Sequence, residues 1–276
     1  MEWWGNSLLL APTYDPDAQA YITAVEAADG QALESGVRDA VNTLVLALKT
    51  NSLWTPALQL LLPSGARTLT GALVPLKGAA PTNNGFVSGD YSRKLGLGQT
   101  NNTTKWLNSN VLQNSLPTNT HAIGAYGSFT KASGDSSVCG YYNSASGQQS
   151  TLLALDEWAG YVSGRAFRSG SFTTSGFPVI TSTAAASFMM GSRASTTSAT
   201  LYVDAASVTN SGTVTPSFSA NALAWFALRQ STGVTVSTSM RIQFSGIWNA
   251  NVTASQAAAL RSACAAYVSA LAAAIP

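Results

Sequence analysis

The side chains that could carry catalysis are few in this sequence and lie far apart. There is a single histidine, His121, and the two cysteines, Cys139 and Cys264, are widely separated. A Ser-His-Asp site needs a base that a third group orients, and a zinc site needs three or four ligands. The sequence offers neither set, so it predicts no metal site. His121 is interpreted as a structural residue. The cysteines are interpreted as buried free thiols, with one disulfide between them as the alternative.

Hydrolysis of a glycosidic bond needs two carboxylates on one face of a cleft. The chain has only 12 Asp and Glu residues, and the adjacent pair in its β-rich part is Asp156-Glu157. Neighbouring strand residues point to opposite faces, so these two could not share a substrate without a bulge. The sequence therefore predicts a protein that is not an enzyme and needs no cofactor. A carbohydrate-active enzyme is the less favoured alternative.

Aromatic rings near strand ends and loops suggest a different chemistry, the stacking of sugar rings, with Asn, Gln and Ser side chains binding the hydroxyl groups. The selected candidates for glycan binding are Trp106, Tyr141, Tyr142 and Trp158. The alternative is that these rings fill the core of the fold. For each ring taken alone, the core is the better interpretation.

The composition excludes several other classes of function. Charged residues make up 9% of the 276 residues, against a usual value of about 25%. The formal net charge is only +2, and no cluster of Lys and Arg is visible. Without a basic surface there is little counterion release to drive nucleic-acid binding, so no nucleic-acid partner is expected. Hydrophobic residues at 46% are sufficient for a large buried core.

Helices are predicted at both ends of the chain. Asp15-Pro16 is a typical helix start, and Asp29-Gly30 a typical end. The second helix has an apolar stripe that must pack against something, and the C-terminal helix, which is rich in alanine and starts at a capping box, has another. Because alanine contributes little to membrane insertion, no membrane span is expected. The two stripes are Leu33, Val37, Val41, Leu44 and Leu48, and Leu260, Cys264, Tyr267, Leu271 and Ile275.

From about residue 67 the apolar pattern changes to short alternating runs. Roughly ten such runs are separated by Gly-, Asn- and Ser-rich turns. This spacing is typical of an antiparallel sandwich or barrel. The many Thr, Val and aromatic residues agree, because those side chains suit a pleated and half-buried surface.

The first 14 residues have no periodicity but carry an apolar arm. Glu2 stands where a secretion signal would have positive charge, so a cleaved signal peptide is not expected. Such an arm packs either against a neighbouring molecule or against the body of its own fold, and the neighbour is favoured. The candidate assembly residues are Trp3, Trp4, Leu8, Leu9 and Leu10.

Six segments of the first half carry a resemblance to a known family. They are YITAVEAADGQALESGVRDAV (21–41), GARTLTGALVPL (65–76), APTN (80–83), FVSGDYSRK (86–94), GLG (96–98) and TKWLNSN (104–110). The sequence resembles bacteriophage tail-associated proteins that have a helical lead-in and a concanavalin A-like, LamG-type jelly roll. The clear match covers about residues 15–125. Trp106 and Asn108 replace the tyrosine and aspartate of the family pattern, which weakens the argument for a metal there, and the match identifies no catalytic residue.

The resemblance implies a structural protein of the virion, part of a tail fibre or tail, whose jelly roll faces outward. Together with the candidate aromatic residues, this gives the hypothesis that the jelly roll contacts the host surface by binding glycans. The alternative is a capsid decoration protein that braces neighbouring subunits. Expected partners are other virion proteins, bound through the arm and helices, and further copies of the chain, with a trimer favoured. The expected regions are an extended arm (1–14), a helical attachment segment (15–64), a jelly-roll β-sandwich (65–252) and a C-terminal helix packed on it (253–276).

Overall fold

The fold is known from a computed structural model. It describes residues 14–99, 104–130, 136–143, 149–156, 164–170, 177–181, 184–211, 218–230, 233–236 and 239–276. The candidate assembly residues Trp3, Trp4, Leu8, Leu9 and Leu10 and the candidate ligand residue Trp158 lie outside these ranges.

The described chain contains four α-helices and eighteen strands. The helices are α1 (Pro16–Asp29), α2 (Ser35–Thr50), α3 (Leu69–Ala72) and α4 (Ala254–Ala274). The strands are β1 (Ala57–Leu61), β2 (Pro75–Lys77), β3 (Thr82–Asn84), β4 (Tyr91–Ser92), β5 (Gly96–Gln99), β6 (Trp106–Leu112), β7 (His121–Phe129), β8 (Ser136–Asn143), β9 (Gln149–Asp156), β10 (Arg165–Gly170), β11 (Val179–Ile180), β12 (Ala186–Ser195), β13 (Ser198–Val203), β14 (Ala206–Asn210), β15 (Ala222–Trp225), β16 (Ala227–Gln230), β17 (Gly233–Val236) and β18 (Met240–Trp248).

The strands form two sheets. Sheet A has the order β14-β13-β12-β7-β18-β1-β2, with β5 also paired to β18 and β4 to β5. Sheet B has the order β11-β10-β9-β8-β15-β6-β3, with β16 beside β8 and β17 beside β16. Among the described pairs, only β16 with β8 is parallel. The predicted fold class is confirmed: a mainly β, antiparallel jelly-roll sandwich with an N-terminal helical pair and a C-terminal helix.

The central strands of sheet A, β1, β18, β7 and β12, are buried on both faces, which makes the molecule three layers deep there. Along β18, Ile242 and Ile247 face sheet B, whereas Phe244 and Trp248 face the helices. A bulge between Ile242 and Phe244 shifts the alternation of the strand. Polar residues also lie along this strand, and Gln243 and Ser245 are buried with it.

Capping residues fix the ends of the outer helices. The Asp15 side chain accepts a hydrogen bond from the Asp17 amide, Pro16 occupies the first turn of α1, and Gly30 ends the helix at φ 65° in the left-handed region. At the start of α4, Thr253 and Gln256 form the predicted capping box.

The region predicted as a helical attachment segment, residues 15–64, needs a correction. It contains β1, which pairs with β18 on one side and β2 on the other and so belongs to sheet A. The apolar stripe of α2 is also occupied within the chain, because Val37, Leu44 and Leu48 are buried against sheet A. Burying this stripe on the sheet removes its apolar surface from water without a second molecule. Only the outward faces of these helices remain for assembly.

The C-terminal helix packs beside α2 in the same outer layer. It has the length and mean hydropathy of a membrane-spanning helix. Its stripe of Leu260, Cys264 and Leu271 is nevertheless buried in the core shared with sheet A. Both cysteines are free thiols, as predicted, with Cys139 in the core between the sheets. Burial raises the pKa of the Cys139 thiol well above its ordinary value.

Candidate functional site

The face of sheet B that points away from sheet A carries the candidate site. In β6 the burial alternates, so Leu107, Ser109 and Val111 point into the sandwich. Trp106 and Asn108 lie on the opposite face and are half-buried. This alternation follows from the two-residue period of an extended strand. The sequence predicted Trp106 as a ligand residue, and the strand does place it on an outer face.

Two neighbouring strands complete the surroundings of Trp106. In β3, Asn84 pairs directly with Trp106, and Thr82 pairs with Asn108. In β15, Ala224 lies opposite Asn108. Residues directly opposite in an antiparallel pair share a face. We name the surface formed by Thr82, Asn84, Trp106 and Asn108 the Trp106 face.

Small apolar side chains support the Trp106 ring from one side. The ring packs against Ala224 and Ala227, together with Val234 of β17. Lys105, the residue before the tryptophan, is held by an ion pair with Asp90 in which the N–O distance is 2.6 Å. The ring is thus fixed on an apolar base while part of it stays accessible to solvent.

Hydrogen bonds orient the two carboxamides beside the ring. The Asn84 amide nitrogen donates to the carbonyl oxygen of Thr82 at 3.1 Å, and the Asn108 carbonyl oxygen accepts from the Asn110 backbone amide at 3.1 Å. No described atom pairs with the remaining Asn84 carbonyl oxygen or Asn108 amide nitrogen. Within the described part of the chain, one acceptor and one donor therefore lie on the strand face of the ring without a protein partner. Such groups can bind the hydroxyls of a sugar.

Tyr141 must be withdrawn from the predicted ligand set. Its side chain is buried in the core between the sheets, and its hydroxyl accepts a hydrogen bond from the Asn221 amide nitrogen at 2.8 Å. A large ring with one satisfied polar atom is a typical core residue. The backbone of Tyr142 lies in β8, but its side chain is outside the described part of the structure, as is all of Trp158.

The His121 side chain links the two sheets and is buried between them. Its Nδ1 atom lies 2.9 Å from the Pro117 carbonyl oxygen, and its Nε2 atom lies 2.8 Å from Ser169 Oγ. Because a carbonyl can only accept, Nδ1 carries the proton and Nε2 accepts from the serine hydroxyl. This is the connectivity of a nucleophile and its base.

The surroundings of His121 oppose catalysis by this pair. The ring is completely buried, and burial lowers the pKa of His121 to about 4, with a further lowering from the Arg193 charge. Acyl transfer would require the imidazolium to form during the reaction. Arg193 donates to the Ser169 carbonyl oxygen at 2.5 Å and so lies close to that ring. The geometry therefore supports the structural interpretation of His121.

The carboxylates whose side chains the structure describes are all engaged in structural contacts. Among the described residues, no group of three or more His, Cys, Asp or Glu side chains could hold a metal ion. The contacts join Asp15 and Asp17 to Lys49, Glu26 to Arg38, Glu34 to Arg67 and Arg93, Asp39 to the Tyr14 hydroxyl, Asp90 to Lys105, Asp29 to the backbone amides of Arg67 and Thr68, and Asp204 to those of Ser187 and Phe188.

Comparisons with known proteins give only distant likenesses. No family model and no curated protein matches the sequence. Among solved structures, a Trypanosoma rangeli sialidase mutant displaying trans-sialidase activity matches with 12% identity and a TM-score of 0.49, over 83% of this chain and 39% of the other. Domain 4 of AbnA, a GH43 extracellular arabinanase from Geobacillus stearothermophilus, matches with 16% identity and a TM-score of 0.43, over 70% and 90%. The chain thus spans well under half of the length of the sialidase. Structural similarity at this level does not indicate a function.

Sequence reasoning found one of the four residues of the Trp106 face. The alternation of β6 could have added Asn108, which is two residues from Trp106 on the same strand. Asn84 and Thr82 could not have been found in this way, because they reach the face through the pairing of β3 with β6. Pairing between strands that are distant in sequence leaves no local signal.

Proposed function

We propose that this protein is a non-enzymatic structural protein of a bacteriophage particle, part of a tail fibre or tail, which binds glycans of the host surface through the Trp106 face. The observation that carries the proposal is that a half-buried, apolar-backed Trp106 shares one strand face with Asn84, its cross-strand partner, and with Asn108 of its own strand. The resemblance of residues 15–125 to phage tail-associated proteins supports the virion location. The structural engagement of the described carboxylates supports a role without bond cleavage.

The Trp106 face has the two components that sugar recognition requires. One flank of a pyranose ring is apolar and can stack on an indole, while the hydroxyls at its edge need hydrogen-bond partners. Trp106 offers the first component, and Asn84 and Asn108 offer the second. The face lies on the outer side of sheet B, and the helices cover the far side of sheet A. A particle could thus be attached on the helical side while sheet B points outward.

Attachment to the particle is assigned to the arm of residues 1–14 and to the outward faces of the helices. In this proposal the arm contacts other virion proteins, and copies of the chain assemble as a trimer. The low charge of the sequence suits a permanent assembly in which large surfaces become buried.

A binding measurement tests the glycan part of the proposal. The purified chain should bind cell-surface polysaccharide of the host, and Trp106→Ala should weaken that binding at least about tenfold, or about 1.4 kcal/mol. Trp54 is the matched control, because it is also half-buried but lies against Lys49 and Lys77 on the helical side. Trp54→Ala should leave binding unchanged. Equal binding by the Trp106 variant and the unaltered chain would remove the Trp106 face from the proposal.

Two further measurements test the location and the absence of catalysis. Labelling of the protein in intact particles for electron microscopy should place it on the tail, in a few to tens of copies. Hundreds of copies on the capsid lattice would instead indicate a decoration protein. Incubation with host polysaccharide should release no soluble product, and measurable release would contradict the non-enzymatic assignment.

A further inference from the structure

Helices α2 and α4 lie side by side over sheet A and leave a groove between their outward faces. The groove has a volume of about 200 Å³. Its walls are mostly alanine methyl groups from residues 36–47 of α2 and 263–270 of α4, with Leu44 and Tyr267 at its floor. An apolar cavity of about 150 Å³ can hold benzene, so this groove has room for one or two leucine side chains.

The N-terminal arm joins the described fold at the rim of this groove. The Tyr14 hydroxyl donates to Asp39 Oδ1 at 2.9 Å, and Asp39 is part of the groove wall. The Asp15 amide donates to Asn42 Oδ1 at 2.8 Å, one turn farther along α2. These two contacts hold the start of the fold against the outer side of α2. Residues 1–13 therefore begin next to the groove.

The arm has the reach and the composition that the groove requires. Leu8, Leu9 and Leu10 precede Tyr14 by four to six residues, so an extended chain places them within about 13 to 20 Å of it. The groove runs along residues 36–47, which is about 17 Å of helix. No charged residue lies between Trp3 and Tyr14, so no charge would enter the apolar groove with the leucines.

We propose that the segment Leu8–Leu10 of the chain's own arm occupies the groove between α2 and α4, with one or two of its leucine side chains inserted. A tether this short gives the arm an effective concentration of the order of millimolar, which exceeds that of a second copy in micromolar solution. Trp3 and Trp4 lie eleven and ten residues before Tyr14, about 33 Å or more of extended chain, and reach beyond the groove. They remain available to another molecule. If the leucines are covered in this way, Trp3 and Trp4 are the part of the arm left for contact with other virion proteins; the proposal concerns the isolated chain and does not depend on the proposed function.

Thiol labelling of the full chain tests this proposal. Ala266→Cys places a probe in the groove wall, and Ala265→Cys places a matched probe on the side of α4 away from the groove; both alanines are exposed in the described residues. The native cysteines are buried and should not react with maleimide in the folded protein. Replacing Leu8, Leu9 and Leu10 by Asp should speed labelling of the Ala266→Cys thiol at least about tenfold, because a covered site reacts only while it is open. The Ala265→Cys thiol should label at one rate in both backgrounds.

Equal labelling of the Ala266→Cys thiol with and without the three leucines would overturn the proposal. Circular dichroism of each variant establishes that a change in rate does not come from unfolding. A short bis-maleimide applied to Leu9→Cys combined with Ala266→Cys identifies the occupant. A cross-link of monomer mass is expected at micromolar concentration. A cross-link of dimer mass, or none at all, would contradict an arm that fills its own groove.

Discussion

Gly191 of β12 lies directly against the ring of Phe167 of β10, where sheet A meets sheet B. A Cβ atom built on this glycine would be 1.9 Å from Phe167 Cδ2. Phe167 belongs to the core between the sheets and Gly191 is buried beside it, so neither the ring nor the backbone can move into free space. The glycine therefore allows the two sheets to approach closely at this point.

Gly191→Ala should destabilise the protein strongly. The added methyl group overpacks the contact with Phe167, which costs about 1–3 kcal/mol in well-packed cores. Urea unfolding measures the loss. Gly89→Ala is the control, because a Cβ atom there meets nothing within 4 Å and the backbone angle is ordinary. If both variants unfold at the same urea concentration, the sheets are not packed as described.

Leu44→Ala should lower the free energy of unfolding by about 2–5 kcal/mol, the usual cost of emptying a buried leucine site. Leu44 is 1% exposed and belongs to the core between α2 and sheet A. Leu46→Ala is the matched control two residues away, where the side chain is 46% exposed. Its effect should stay within about 0.5 kcal/mol. Similar losses in the two variants would mean that α2 does not dock on the chain's own sheet.

The buried His121 makes stability fall in mild acid. Its pKa is about 4 in the folded chain and near 6.5 in the unfolded chain, so the unfolded state binds more protons between these values. Stability is therefore full above about pH 6.5 and declines as the pH falls toward 4, by about 2 kcal/mol at pH 5. Urea midpoints at pH 8 and pH 5 measure the decline. His121→Asn should be less stable at pH 8 but should lose this dependence; a variant with the same dependence would exclude His121 as its source.

The ion pair of Glu34 and Arg93 ties the start of α2 to the hairpin of β4 and β5. Arg93 donates to both Glu34 oxygens, at 3.0 and 2.6 Å, and to the carbonyl oxygens of Gly65 and Ala66. Arg93→Lys should cost about 1 kcal/mol or more, because an ammonium cannot reproduce this planar set of bonds. Lys94→Arg, at a neighbouring position, is the control and should have little effect. An unchanged unfolding midpoint for Arg93→Lys would show that the pair contributes nothing measurable.

Protonation of Glu34 should lower the stability of the fold in a second step, at a lower pH than the protonation of His121. Hydrogen bonds from Arg93 lower the pKa of Glu34 to about 2. The carboxylate thus contributes stability above its ordinary value near pH 4.5, and this contribution is lost as the pH falls from there toward 2. Glu34→Gln should remove that part of the pH dependence while leaving the part between pH 6.5 and 4 in place. Titration of unfolding midpoints from pH 8 to pH 2 separates the two.

The sequence by itself determined the local elements and the class of fold. Asp15, Pro16 and Gly30 mark the ends of α1, and Thr253 and Gln256 begin α4, because caps and turns depend on residues close in the chain. Alternating runs predicted the strands for the same reason. The scarcity of carboxylates and the single histidine were likewise visible without coordinates.

Only the tertiary structure decided which apolar helix and strand surfaces pack against each other. A stripe such as that of α2 must be buried, but the pattern does not say whether a neighbour or the chain's own sheet covers it. Likewise, alternation shows that Trp106 and Asn108 share a face of β6 but does not show which face points into the core. For a single aromatic residue such as Tyr141, the sequence does not show whether the side chain points into the core or toward solvent. The placement of β1 between β18 and β2 and the meeting of Asn84 with Trp106 depend on pairing between distant segments. Those pairings are set by the packing of the whole chain, because no local interaction selects one strand partner over another.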